Sequence, residues 1–220
     1  MTIRWTLIFA VMFLMLFSWT GAQASPAMDL MQRKEKVVQK ILAKPTEKGT
    51  PGHEKKEAEL RSNINELFDF EELGKRSLDH HWLSINDAQR KEFIGTLQAL
   101  IEKNYLLQIT KSTTYQLKWF GEMKEGESTT VRFKIKSGKY KAAIQLRTIE
   151  KAGKPVVYDM LIDDVSLMEN YRSQFNRIIK KNGFDELLKK MKKKLNDDDD
   201  SEIEDPGKKK DKPAKKGSKK

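Results

Sequence analysis

Residues 113–167 read TTYQLKWFGEMKEGESTTVRFKIKSGKYKAAIQLRTIEKAGKPVVYDMLIDDVSL, and in them the period of the chain changes to two. Tyr115, Leu117 and Trp119 alternate with polar residues. So do Val131, Phe133 and Ile135, and then Tyr140, Ala142, Ile144 and Leu146. A fourth run, Pro155–Leu167, carries Val157, Met160, Ile162 and Val165. Side chains alternate between the two faces of a strand, so this spacing predicts half-buried strands. Gly126, Ser137-Gly138 and Gly153 fall between the runs, where hairpin turns are needed. Four strands with short links make an antiparallel meander with one apolar face to cover.

Outward from this stretch the spacing is helical on both sides. Leu30, Val37, Val38, Ile41 and Leu42 predict a helix over 29–42 that ends before Pro45. Leu60, Ile64, Leu67 and Phe68 predict a second over 55–68, and 70–78 a short third. Asn86 and Gln89 form a capping-box pattern for a fourth, running to about Ile109 through Phe93, Ile94, Leu97, Leu100, Ile101 and Tyr105. Beyond Leu167, Tyr171, Phe175, Ile178 and Ile179 share a helical face. Gly183 breaks it, and Phe184, Leu187, Leu188, Met191 and Leu195 make a last, basic amphipathic helix. The fold class is α+β: a four-stranded antiparallel sheet covered by N- and C-terminal helices.

The two ends of the chain are different material. Arg4 is the only charge before Asp29, and it precedes the apolar run Trp5–Trp19 and the small-x-small site Ala22-Gln23-Ala24. The run is too short to span a bilayer, so residues 1–24 read as a signal peptide cut after Ala24, and residues 25–196 as one domain. Residues 197–220 carry eight acids and eight lysines with Ile203 as their one sizeable apolar residue, a composition that predicts disorder. The net charge is +11, so with Arg4 removed the domain holds +10 and suits anionic partners. The chain has no cysteine, which excludes disulfides, thiol catalysis and cysteine-held metals. Export makes a nucleic-acid partner unexpected.

Signals for catalysis are weak. His53, His80 and His81 are the only histidines, and adjacent His80 and His81 point in different directions, a poor metal pair. Asp163-Asp164 fits a strand end or turn better than a working carboxylate pair. No phosphate loop or nucleophile elbow is present. The expectation is a protein that is not an enzyme, with no cofactor and no metal.

Two stretches together carry a family resemblance. The first runs Phe68-Asp69-Phe70-Glu71-Glu72-Leu73, then His81-Trp82, Asp87-Ala88-Gln89-Arg90-Lys91-Glu92-Phe93 and Tyr105. The second is Val157-Tyr158-Asp159-Met160-Leu161-Ile162-Asp163-Asp164-Val165-Ser166-Leu167, then Asn170-Tyr171-Arg172-Ser173-Gln174-Phe175. They resemble the MlaC or toluene-tolerance auxiliary family, the periplasmic phospholipid-binding component of the Mla (maintenance of lipid asymmetry) system. Asp164 stands where that family usually has glycine, Pro155-Val156 replaces a tryptophan, and the charged tail is extra.

The resemblance implies a periplasmic shuttle that holds a phospholipid by its acyl chains. Its implied partners are an outer-membrane lipoprotein complex and the periplasmic, MCE-type subunit of an inner-membrane ABC transporter. It also implies that the curved sheet and its helices enclose a deep apolar cavity. The candidate wall residues are Trp82, Leu97, Ile101, Tyr105, Phe133, Ile135, Ile144, Leu146, Met160, Ile162, Tyr171, Phe175 and Ile178. Each fits a filled core equally well on sequence alone. Asp159, Asn170 and Arg172 are the polar motif members; Arg172 suits a lipid phosphate or a carboxylate such as Asp159. The competing readings are a basic interaction module with a solid core and, more weakly, an exported hydrolase.

Overall fold

Ser25 caps the first helix: its hydroxyl accepts the Met28 amide, and Pro26 supplies a preset φ at the first helical position. Helix α1 therefore runs Pro26–Leu42, starting before the apolar spacing does. Thr50 caps α2 (Pro51–Asn65), and Asp69 caps α3 (Phe70–Leu78). A 3-10 turn, Asp79–Ser84, leads to α4 (Asp87–Ile101). Its capping box is complete: Asn86 Oδ1 accepts the Gln89 amide at 2.9 Å, and Gln89 Oε1 accepts the Asn86 amide at 3.1 Å. A π turn, Glu102–Leu106, follows. The computed structural model describes residues 25–106 and 115–196, without the side chains of 105 and 106. The signal segment, the helix reading over 107–109 and the charged tail lie outside the described residues. Among the described residues, no helix is long and apolar enough to cross a membrane.

The sheet has five strands, not four. β1 (Gln116–Glu125), β2 (Ser128–Ser137), β3 (Tyr140–Lys151), β4 (Lys154–Ile162) and β5 (Val165–Ser166) pair antiparallel in chain order. The fourth apolar run is broken at Asp163-Asp164. Both residues take positive φ, 49° and 67°, which turns the chain through a tight hairpin into β5. Two residues are too short to show a period, which is why β5 was read as part of β4. Ser166 then caps α5 (Leu167–Asn182) by accepting the Glu169 amide, and α6 (Phe184–Asn196) follows Gly183.

Cross-strand register sorts the side chains. Leu117, Ile135 and Ala142 lie opposite one another, as do Trp119, Phe133, Ile144 and Ile162. This apolar face packs on α1 through Ala27, Met28 and Met31. A second, larger cluster joins α3, α4, α5 and α6 around Phe93, Leu97, Tyr171 and Phe175, each 0% exposed. Strand β4 separates the two: Val157 belongs to the sheet cluster, Tyr158 to the helical one, and Met160 touches both.

Candidate functional site

The wall residues divide between these clusters. Trp82, Leu97, Ile101, Tyr171, Phe175 and Ile178 lie in the helical core. There Tyr171 stacks on Phe175 with ring centroids 5.3 Å apart, and Phe93 meets Phe175 edge-on at 5.6 Å. Ile144, Leu146 and Ile162 are buried in the sheet cluster, with Phe133 and Ile135 partly buried beside them. The Tyr105 side chain lies outside the described residues. Among the described residues the expected enclosed cavity between sheet and helices is not found: Ala27, Met28 and Met31 of α1 cover the sheet face, and the helical side chains form one buried cluster.

What the structure has instead is an open groove of about 840 Å³ at the end of the sheet where β1 begins and β2 ends. Leu117, Ile135 and Ala142 line it with Gln116, Lys118, Lys134, Lys136, Lys141, Ala143 and Asp163. Ile135 and Ala142 also belong to the cluster under α1, so the groove continues the covered apolar face. Ile135 is the one wall candidate lining it. Leu117 and Ala142 were visible in the strand alternation but not singled out, because period two cannot tell a covered stretch from an open one.

Several polar contacts pin α1 to its surroundings, among them Lys56 Nζ donating to the Leu42 carbonyl at 2.8 Å. Trp119 Nε1 donates to Glu35 at 3.0 Å. The Ser25 amide donates to Glu122 Oε1 at 3.0 Å while the Ser25 hydroxyl donates to Glu122 Oε2. Lys34 pairs with Glu66 at 2.5 Å. A second, smaller groove of about 380 Å³ lies over Trp82, Arg90 and Ile94 on the helical side.

The polar motif members make contacts within the protein. Asp159 is fully buried and accepts from the Ser166 hydroxyl (2.7 Å), the Met168 amide (3.0 Å) and Arg147 Nη1 (3.2 Å). Burial pushes its carboxyl above the ordinary range, and those donors pull part of the way back. Arg172 does not reach it; Nε of Arg172 donates to the Arg76 carbonyl at 2.9 Å. Asn170 accepts from Gln174 one turn along α5. Asp159 thus ties β3, β4 and the start of α5 together.

His53 Nδ1 lies 3.2 Å from Thr46 Oγ1 and its Nε2 3.4 Å from Glu57 Oε1, between the loop ahead of α2 and the body of that helix. His80 Nδ1 lies 3.4 Å from Asp79 Oδ2, but both side chains are 61% exposed and in no cleft. His81 Nε2 lies 3.0 Å from Asn176 Oδ1. Among the described residues no three metal-ligating side chains gather.

Comparison with known proteins settles the family. The model of the MlaC protein family matches residues 32–193. The chain belongs to the MlaC family. A relative from Haemophilus influenzae, the intermembrane phospholipid transport system binding protein MlaC, is 27% identical over 177 residues, 77% of this chain and 82% of the relative. A solved structure of similar fold is the phospholipid-binding protein of Ralstonia solanacearum in complex with a phospholipid. It superposes with a TM-score of 0.67 at 16% identity, covering 78% of this chain and 98% of that one.

Proposed function

We propose that this chain is an exported phospholipid carrier that works in the periplasm after cleavage behind Ala24. In this reading it exchanges lipid between an outer-membrane lipoprotein complex and the MCE-type subunit of an inner-membrane ABC transporter, so preserving outer-membrane lipid asymmetry. It performs no chemistry itself. The reading is supported by MlaC membership and by the relatives' phospholipid-binding names. The observation that carries it is the apolar sheet face that continues from beneath α1 into an open groove of about 840 Å³. Each methylene buried there gains about 0.8 kcal/mol, so an acyl chain laid along the face binds by burial alone. The full face becomes available only when α1 lifts.

A second reading is a basic adaptor without a ligand. What favours it is α1 itself, whose Ala27, Met28 and Met31 already cover the face.

The deciding experiment is mass spectrometry of organic extracts from the purified native protein. Phospholipid in near-stoichiometric amount is expected; none at all gives the adaptor. Ile135→Glu, at the half-buried groove wall, should lose the lipid while circular dichroism stays unchanged, and Lys189→Glu on α6 should keep it. Ile144→Glu tests the covered part of the face. If both wall variants fold and carry wild-type lipid, the site lies elsewhere.

A further inference from the structure

The outward face of β1–β3 is laid out against its own electrostatics. Lys118 stands directly opposite Lys134, and Lys136 directly opposite Lys141. Like charges facing each other across strands destabilise a sheet. Arg132 shares this face, and all five side chains are exposed. None of them has a carboxylate partner among the described residues. Between them Phe120 stands 46% exposed, with Lys118 Nζ 5.5 Å and Lys134 Nζ 5.2 Å from its ring centroid. An uncompensated cationic sheet face around an aromatic wedge has the chemistry of a surface that meets anionic headgroups. Lysines supply the charge, and an exposed apolar ring is available for burial at the acyl boundary.

We infer that the β1–β3 face docks the protein directly on bilayers containing anionic phospholipid. A bilayer is favoured over an acidic protein face by the arrangement. Four of the five cations are long, flexible lysines, and the fifth, Arg132, makes no bidentate carboxylate pair among the described residues. The same lysines edge the apolar groove, so docking brings its mouth to headgroup level. This last point rests on the carrier reading; bilayer binding does not.

The test is co-sedimentation of the full mature chain with vesicles of phosphatidylcholine alone or with 30% phosphatidylglycerol, at low and high salt. Copurified lipid is quantified separately, so that loss of the carrier reading is distinguishable from loss of docking. Wild type should bind the anionic vesicles, release them at high salt, and ignore the neutral ones. Lys118→Glu should cut binding about tenfold. The same substitution turns a repulsive cross-strand pair into an attractive one, so its thermal midpoint should rise by about 1–3 °C. Weaker binding with higher stability is the signature of a face kept for a partner. Lys189→Glu, the same charge reversal on α6, should bind like wild type. The inference is overturned by equal binding to neutral vesicles, by Lys118→Glu binding like wild type, or by Lys189→Glu losing as much as Lys118→Glu. Binding to no vesicle also overturns it and leaves an acidic protein face as the partner.

Discussion

Asp159 shows what a single carboxylate does in this fold. It gathers a hydroxyl, a backbone amide and a guanidinium from three elements at zero exposure. Asp159→Ala leaves the Ser166 hydroxyl and the Met168 amide buried without an acceptor. It should cost about 3–5 kcal/mol, read as a lower urea midpoint. Asp164 carries a different strain, a left-handed φ of 67° in a hairpin turn that favours glycine. Asp164→Gly should stabilise by about 0.5–1 kcal/mol despite losing the 2.7 Å bond from Gln145 Nε2. No change would mean that this bond outweighs the strain. Asp159 and Arg172 were legible as motif members, but their partners were not. Arg147 faces Asp159 only through the β3–β4 register, which shifts at the next residue. No spacing along the chain reveals such a shift.

Among elements, α3 depends most visibly on charge. Asp69 caps it by accepting the Glu72 amide at 3.0 Å, and Lys151 Nζ donates to the same carboxylate at 2.6 Å. Burial pushes the Asp69 carboxyl up, but the Lys151 ammonium and the Glu72 and Glu71 amides outweigh it, so the carboxyl titrates below its usual range. A depressed carboxylate contributes stability above its unfolded pKa and loses it as pH falls through the folded value. Asp69→Asn keeps the cap and removes the charge. It should cost about 0.5–1 kcal/mol at neutral pH, a modest value because Lys151 is half exposed. The gap from wild type should close on acidification below about pH 4; a gap constant with pH would assign the cost to shape. The long strands and α4 were readable because one half-buried face imposes a period on many residues. The two-residue β5 imposes none, and the filled space beneath α1 was hidden because an apolar face looks the same whether helix or lipid covers it.

At the scale of the molecule, two clusters share one strand, and the helix over the sheet is held by Ala27, Met28 and Met31 and by a few side-chain hydrogen bonds. If lipid reaches the face beneath α1, weakening its pins should favour exchange. Glu35→Ala removes the acceptor of Trp119 Nε1. It should raise amide hydrogen exchange in α1 several-fold, speed transfer of a fluorescent phospholipid to acceptor vesicles, and leave α4 and α5 protected as in wild type. Faster exchange in all helices together would mean the two clusters unfold as one. The pin at the start of α1 has a consequence for the life history of the chain. Its donor is the backbone nitrogen of Ser25, and its acceptor is a carboxylate on β1. In a chain cut after Ala24, as the carrier reading proposes, that nitrogen would be a free ammonium, and the amide–carboxylate bond would become an ion pair. Glu122 also offsets the cost of a cation at a helix N-terminus. A protein with an N-terminal tag ahead of Ser25 would then be a different molecule from one beginning at Ser25. It should melt several degrees lower than a C-terminally tagged chain beginning at Ser25, and Glu122→Gln should abolish the difference. On the proposed cleavage, the cut behind Ala24 would itself fasten the helix over the sheet.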